Sequence, residues 1–163
     1  MKRTHMTGLD QTIQNIRKEI EQIQGVTLKG LLRAGLKIRS EAQKMCPVVT
    51  GNLKASAYVV TSRGNAPAGK TPTFKGDDAA QMGSNHSETV AERRHTIQDE
   101  NNPTVEVGFT AVYAASVHEN PNAGQATYPG ASEVGQWKFL EEAVKQNETY
   151  ILDVIQREAK STL

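Results

Sequence analysis

The sequence predicts a mixed α+β chain, and three observations predict it. Apolar residues recur at alternating three- and four-residue spacings before Cys46 and again after Trp137, the signature of helices that bury one stripe. Between those segments, Ala57-Tyr58-Val59-Val60 is β-prone, and Val105-Glu106-Val107-Gly108-Phe109 alternates apolar with polar side chains, as a half-buried strand does. At 163 residues and 17.8 kDa the chain is long enough for one core and short for two. A single domain over residues 1–163 is therefore expected.

The first helix is expected over residues 8–25. Leu9, Ile13, Ile16, Ile20 and Ile23 form a narrow apolar seam on an otherwise polar segment, and Gly25 marks its end. Seams this narrow usually pack inside one domain, although an isoleucine row can also pair with another subunit. The core then takes in residues 26–61 and 104–160. Its long helix carries Leu28, Leu31, Gly35, Ile38, Ala42 and Met45 on one seam. Gly35 and Ala42 are small, so another element can approach the backbone there.

A joint follows. Pro47 disfavours helical geometry at Cys46 and stops the helix. Thr50 can cap through its hydroxyl, Gly51 tolerates torsions other residues avoid, and Asn52 can bond to nearby backbone before Leu53. The strand from Ala57 comes next.

Residues 62–103 differ in kind. Among 42 residues the only large apolar side chains are Phe74, Met82, Val90 and Ile97, too few to offset the entropy of ordering. A long mobile loop or hairpin is expected, with Ser87 to Gln98 as a polar edge strand, and long excursions of this kind often meet partners. The last helix begins near Trp137 and runs to about Lys160, with Leu140, Val144, Ile151 and Val154 on one side and Phe139, Ala143 and Ile155 widening that face. Tyr58, Tyr113, Trp137 and Phe139 are expected as core anchors.

Composition narrows the function. Hydrophobic residues make up 37% and aromatics 5%, with a mean hydropathy of -0.54, so the core is aliphatic and modest. No apolar run approaches the roughly twenty residues needed to cross a bilayer, and no apolar segment follows Met1-Lys2-Arg3. A soluble chain without membrane contact is expected. Cys46 is the one cysteine and cannot form an internal disulfide. The net charge of +1 argues against a dedicated nucleic-acid binder, yet residues 1–45 hold nine Lys/Arg against four Asp/Glu, an asymmetry that can orient subunits in an assembly.

Four features invite chemical readings. Gly64-Asn65-Ala66-Pro67-Ala68-Gly69-Lys70-Thr71 matches the phosphate-binding pattern G-x-x-x-x-G-K-[ST]. That mechanism needs the loop to open into a helix whose N-terminus holds the phosphates, whereas Pro72 follows at once. A partner acidic residue, Asp153, lies in a helical pattern rather than at a strand end. His118-Glu119 suggests a metal motif, but position 122 is Asn and Pro121 interrupts any helix. Cys46 and His118 can both sit near the sheet as a catalytic pair; a small buried thiol is the commoner role for a cysteine at a helix end. Finally, Lys29, Arg33, Lys37 and Lys44 form a basic stripe opposite the apolar seam. A solvated face is the plainer reading, and a channel wall that attracts nucleic-acid phosphate is the sharper one. No catalytic, cofactor-binding or metal-binding residues are assigned.

The helix ending in Cys46-Pro47-Val48-Val49-Thr50-Gly51-Asn52-Leu53-Lys54-Ala55-Ser56 resembles the phage head–tail joining, or tail-completion, family of neck and minor capsid proteins. Val105 to Phe109 followed by Val112-Tyr113-Ala114-Ala115-Ser116-Val117-His118-Glu119 resembles its second block, and Gly135-Gln136-Trp137-Lys138-Phe139-Leu140-Glu141-Glu142-Ala143 its third. Departures are Val49, where the family commonly has an acidic residue, Asn120-Pro121-Asn122 in place of a Gly after Glu119, and the longer 62–103 excursion. The resemblance implies a small antiparallel sheet packed against the second and third helices. It further implies a structural virion protein, assembled in the bacterial cytoplasm, that forms a six- or twelve-fold ring at the head–tail junction. Its partners would be further copies of itself, the head connector or adaptor, and the tail terminator or tail tube, with DNA passing through the ring. Neither cofactor nor catalysis is implied. Partner contacts are expected from Gly64–Asn85 and Glu119–Gly130, with Lys70, Phe74, Glu119, Asn120, Pro121 and Tyr128 as candidates. The rival readings are a nucleotide-binding protein using Gly64–Thr71 and a basic nucleic-acid-binding module.

Overall fold

The computed structural model describes residues 7–64, 71–98, 102–124 and 135–161. Eight elements follow in order: α1 (Thr7–Met45), α2 (Asn52–Ala55), β1 (Ala57–Thr61), α3 (Ala79–Ile97), β2 (Val105–Phe109), α4 (Ala114–Glu119), α5 (Phe139–Gln146) and α6 (Glu148–Lys160). The α+β class holds: β1 and β2 pair antiparallel in register from Ala57 opposite Phe109 to Thr61 opposite Val105, and the ribbon packs on helices.

α1 is the spine. The ribbon lies across its Gly35, where a methyl group would stand 2.8 Å from the Val105 side chain and 3.3 Å from Val107. That close approach is why the seam needs a small residue there. Toward the helix's end, Ala42, Cys46, Leu53, Ala111, Ala114, Phe139 and Ala143 form the buried core. Phe139 is its largest member, 1% exposed, and the Phe109 ring meets it edge-on at 5.1 Å. Three of the buried neighbours are alanines on α1, α4 and α5, so the helices close tightly around one large ring.

α6 runs back along α1 in the opposite direction. Gly30 lies against Ile155, whose Cα would be 3.0 Å from a methyl group added there, and Lys37 stands over the Tyr150 ring at 5.8 Å. On the other face of the ribbon, Tyr58 bonds to Glu106, which pairs with Arg93 of α3; Glu106 stands opposite Val60, two residues from Tyr58 and so on the same face.

Several expectations are corrected. Gly25 does not end a helix: the 8–25 and 26–45 segments are one continuous helix of 39 residues. A helical glycine costs only about 1 kcal/mol relative to alanine, and no proline or cap stops the chain at this point. Ser87 to Gln98 is not a strand but part of α3, so the 62–103 excursion contains a helix of 19 residues. The C-terminal helix begins at Phe139, after Lys138 takes a left-handed φ of 55°, and is divided at Asn147. The Asn147 amide donates to the Ala143 carbonyl at 2.8 Å, satisfying an orphan acceptor where α5 stops. Trp137 and Tyr113 are not core anchors: they are 43% and 39% exposed. Phe139, beside Trp137 in sequence, is the anchor.

Candidate functional site

Three stretches far apart in sequence meet at the C-terminal end of α1. The Gln136 N–H donates to the Met45 carbonyl at 2.8 Å, the Lys138 N–H to the His118 carbonyl at 2.8 Å, and the Thr110 N–H to the Ser56 carbonyl at 3.0 Å. Gly135 fits here because it has no side chain: a Cβ would stand 2.4 Å from the Pro47 Cα, and its φ is +139°. The joint after Pro47, the α4 segment and the entrance to α5 thus form one continuous surface.

This surface carries exposed apolar side chains. Val49 is 65% and Val112 89% exposed, with Tyr113 and Trp137 beside them in the same three stretches. Val144, Tyr150 and Leu152 on α5 and α6 are exposed as well, and single exposed apolar residues are ordinary on a protein surface. The polar edge of the three stretches is an ion cluster. Glu119 accepts from Lys138 Nζ at 2.6 Å and lies 2.8 Å from His118 Nδ1. The Lys138 bond, then the His118 bond, hold the Glu119 carboxyl below its ordinary range. The same bond to Glu119 raises Lys138. The His118 ring in turn meets the Phe139 edge at 4.9 Å, tying the cluster to the core. A shallow open groove of about 380 Å³ runs beside it, past Trp137, Lys138, Glu141 and Lys145.

The joint works much as its residues suggest, with one difference. Gly51 has φ of +89°, and Thr50 Oγ1 accepts from the Asn52 N–H at 3.3 Å. Leu53 is buried and Pro47 half-buried. Asn52, however, reaches across the chain. Its Nδ2 donates to the Lys75 carbonyl at 2.8 Å and its Oδ1 accepts from the Lys75 N–H at 2.9 Å. It is 7% exposed and clamps the segment that leads into α3.

The other expected sites fall as follows. Lys70 and Tyr128 lie outside the described residues. Phe74 is not a surface contact: it is 9% exposed and its ring packs against His86 at 5.8 Å. Glu119, Asn120 and Pro121 are exposed, and Asn120 Oδ1 accepts from the Asn122 N–H at 3.0 Å. The basic stripe is paired with carboxylates rather than free. Lys29 lies 3.2 Å from the buried Glu158, which Arg33 also contacts. Lys37 and Lys44 each meet Glu41 at 2.8 Å.

The chemical motifs have this geometry. Thr71 to Lys75 are not helical and α3 starts only at Ala79, so the Gly64–Thr71 stretch does not open into a helix as phosphate cradling requires. Asp153 lies within α6, paired with Arg157 at 3.0 Å. Cys46 is fully buried, and burial pushes its thiol up to about 11, so the thiol is protonated at neutral pH. Among the described residues no three His, Cys, Asp or Glu side chains are placed to share a metal ion, and no helix is long and apolar enough to cross a membrane.

Sequence reasoning missed the polar contacts that dock α3. Arg93 forks onto Glu106, with Nε 2.7 Å from Oε1 and Nη2 2.5 Å from Oε2, and Tyr58 Oη donates to the same carboxylate at 2.6 Å. His86 Nδ1 is 2.8 Å from Thr110 Oγ1, and burial holds His86 below its ordinary value. α3 has no buried residues, so no apolar period announces it.

Comparison with known proteins finds no matching family model, no matching curated protein and no matching solved structure.

Proposed function

We propose that this chain is a structural virion protein of a tailed bacteriophage that forms a ring at the head–tail junction. What carries the reading is that the three sequence blocks of the resemblance converge on one end of the molecule. The joint after Pro47, the Val112–Glu119 segment and the Gly135–Lys138 entrance are stitched by backbone hydrogen bonds, and they present Val49, Val112, Tyr113 and Trp137 outward. Exposed apolar side chains with the charged Glu119, Lys138 and Glu141 on the same three stretches suit contact with a neighbouring subunit or with connector and tail proteins. The α+β fold, with its ribbon between α1 and α3, provides a rigid base for that end.

Val112→Asp and Trp137→Ala change only exposed side chains, so both variants should fold and unfold as the parent does. On this reading they should fail to restore infectious particles when supplied in place of the parent protein. Full complementation by folded Val112→Asp and Trp137→Ala would remove this end surface from the assembly role.

A further inference from the structure

The N-terminal half of α1 runs past the element that covers the rest of it. Glu158 of α6 meets Lys29 and Arg33, and α6 ends at Lys160. The helix from Thr7 to about Val26 therefore extends roughly 30 Å beyond the described end of α6. A helical stretch of that length is marginal on its own in water. Its sequence nevertheless holds a heptad seam: Leu9, Ile13, Ile16, Ile20 and Ile23, spaced four, three, four, three. The same spacing continues through Thr27 to Gly30 and Ala34, which are buried where α6 packs. Gly25 falls off the seam, and a methyl group there meets nothing within 4 Å. The stripe thus runs on from the part of α1 that packs on α6, where Gly30 lies against Ile155.

We infer that residues 9–23 of α1 pair antiparallel with the same segment of a second copy of this chain. The charges that flank the seam select the occupant and its direction. With Ile13 and Ile20 at a positions and Leu9, Ile16 and Ile23 at d positions, Asp10 and Arg17 both occupy e positions. In antiparallel pairs e faces e, so placing Leu9 across from Ile20 and Ile13 across from Ile16 brings Asp10 beside Arg17 twice, by two-fold symmetry. Slipping that pair by one heptad sets Arg17 against Arg17. A parallel, in-register pair puts Thr12 beside Arg17 and Glu19 beside Gln24, with no opposite charges facing. Of these three arrangements only the first sets opposite charges beside each other. It is independent of the head–tail reading.

Sedimentation equilibrium of the full chain tests it. The parent should form a concentration-dependent dimer. Ile13→Asp with Ile16→Asp should weaken that dimer by about 100-fold or more while urea unfolding of the core is unchanged. Arg17→Asp should weaken it by about tenfold, and Asp10→Arg combined with Arg17→Asp should restore it. Under mild oxidation, Leu9→Cys should cross-link with Ile20→Cys and not with itself, because the two Leu9 positions lie roughly 16 Å apart along the antiparallel pair. A chain that stays monomeric, a dimer indifferent to Ile13→Asp with Ile16→Asp, or a Leu9→Cys protein that cross-links to itself would each overturn the inference.

Discussion

Asn52 shows how much one side chain organises. Its amide mimics a peptide group and bonds both ways to Lys75, so it joins the turn after α1 to the arm leading into α3 across 23 residues of chain. Asn52→Ala removes both bonds to the Lys75 backbone, made by a side chain that is itself buried. The expected cost is about 1–3 kcal/mol, read as a lower urea midpoint at unchanged slope. Glu106 gives the second residue-scale prediction. Arg93 bonding holds its carboxyl below the ordinary 4.5, helped by the Tyr58 hydroxyl and opposed by burial. Burial, then the Glu106 bond, pushes Tyr58 up to about 12, so its hydroxyl donates throughout the neutral range. Because the folded carboxyl is lowered, its contribution is fully present above 4.5 and is lost as pH falls through the folded value. Chemical denaturation should therefore show stability falling on acidification through that window, and Glu106→Gln should flatten the fall.

At the scale of elements, glycines on α1 separate two kinds of position. Gly25 is helical with open space around it, so Gly25→Ala should raise stability by about 0.5–1 kcal/mol. Gly30→Ala places a methyl group 3.0 Å from the Ile155 backbone and should lower it, since a backbone cannot rotate away as a side chain can. Thermal unfolding of the two variants should move in opposite directions. These positions also explain what the sequence made legible. The ribbon, the long helix after residue 26 and the joint at Pro47-Gly51 announce themselves through period, proline and glycine, all local signals. Gly25 misled because a helix tolerates glycine when neither cap nor proline stops it. α3 was illegible because none of its residues is fully buried, Met82 meeting the core only in part, and its docking pair, Arg93 and Glu106, is defined only once the ribbon has formed. Trp137 and Phe139 could not be ranked as exposed and buried from sequence, since that depends on the left-handed turn at Lys138.

Across the whole molecule, the ribbon is held between α1 and α3, and two surfaces lie at opposite ends of α1. One end gathers the three blocks with their exposed Val49, Val112, Tyr113 and Trp137; the other is the heptad segment beyond α6. The exposed end was half legible: Glu119, Asn120 and Pro121 fell within it, but Val112 and Trp137 did not, because single apolar residues carry no sign of exposure in a sequence. The measurement that bears most directly on this account is electron microscopy of lysates from a phage lacking the gene for this chain. The account predicts filled heads and separate, complete tails, rejoined when the parent protein is supplied. Intact infectious particles in its absence would contradict the head–tail role.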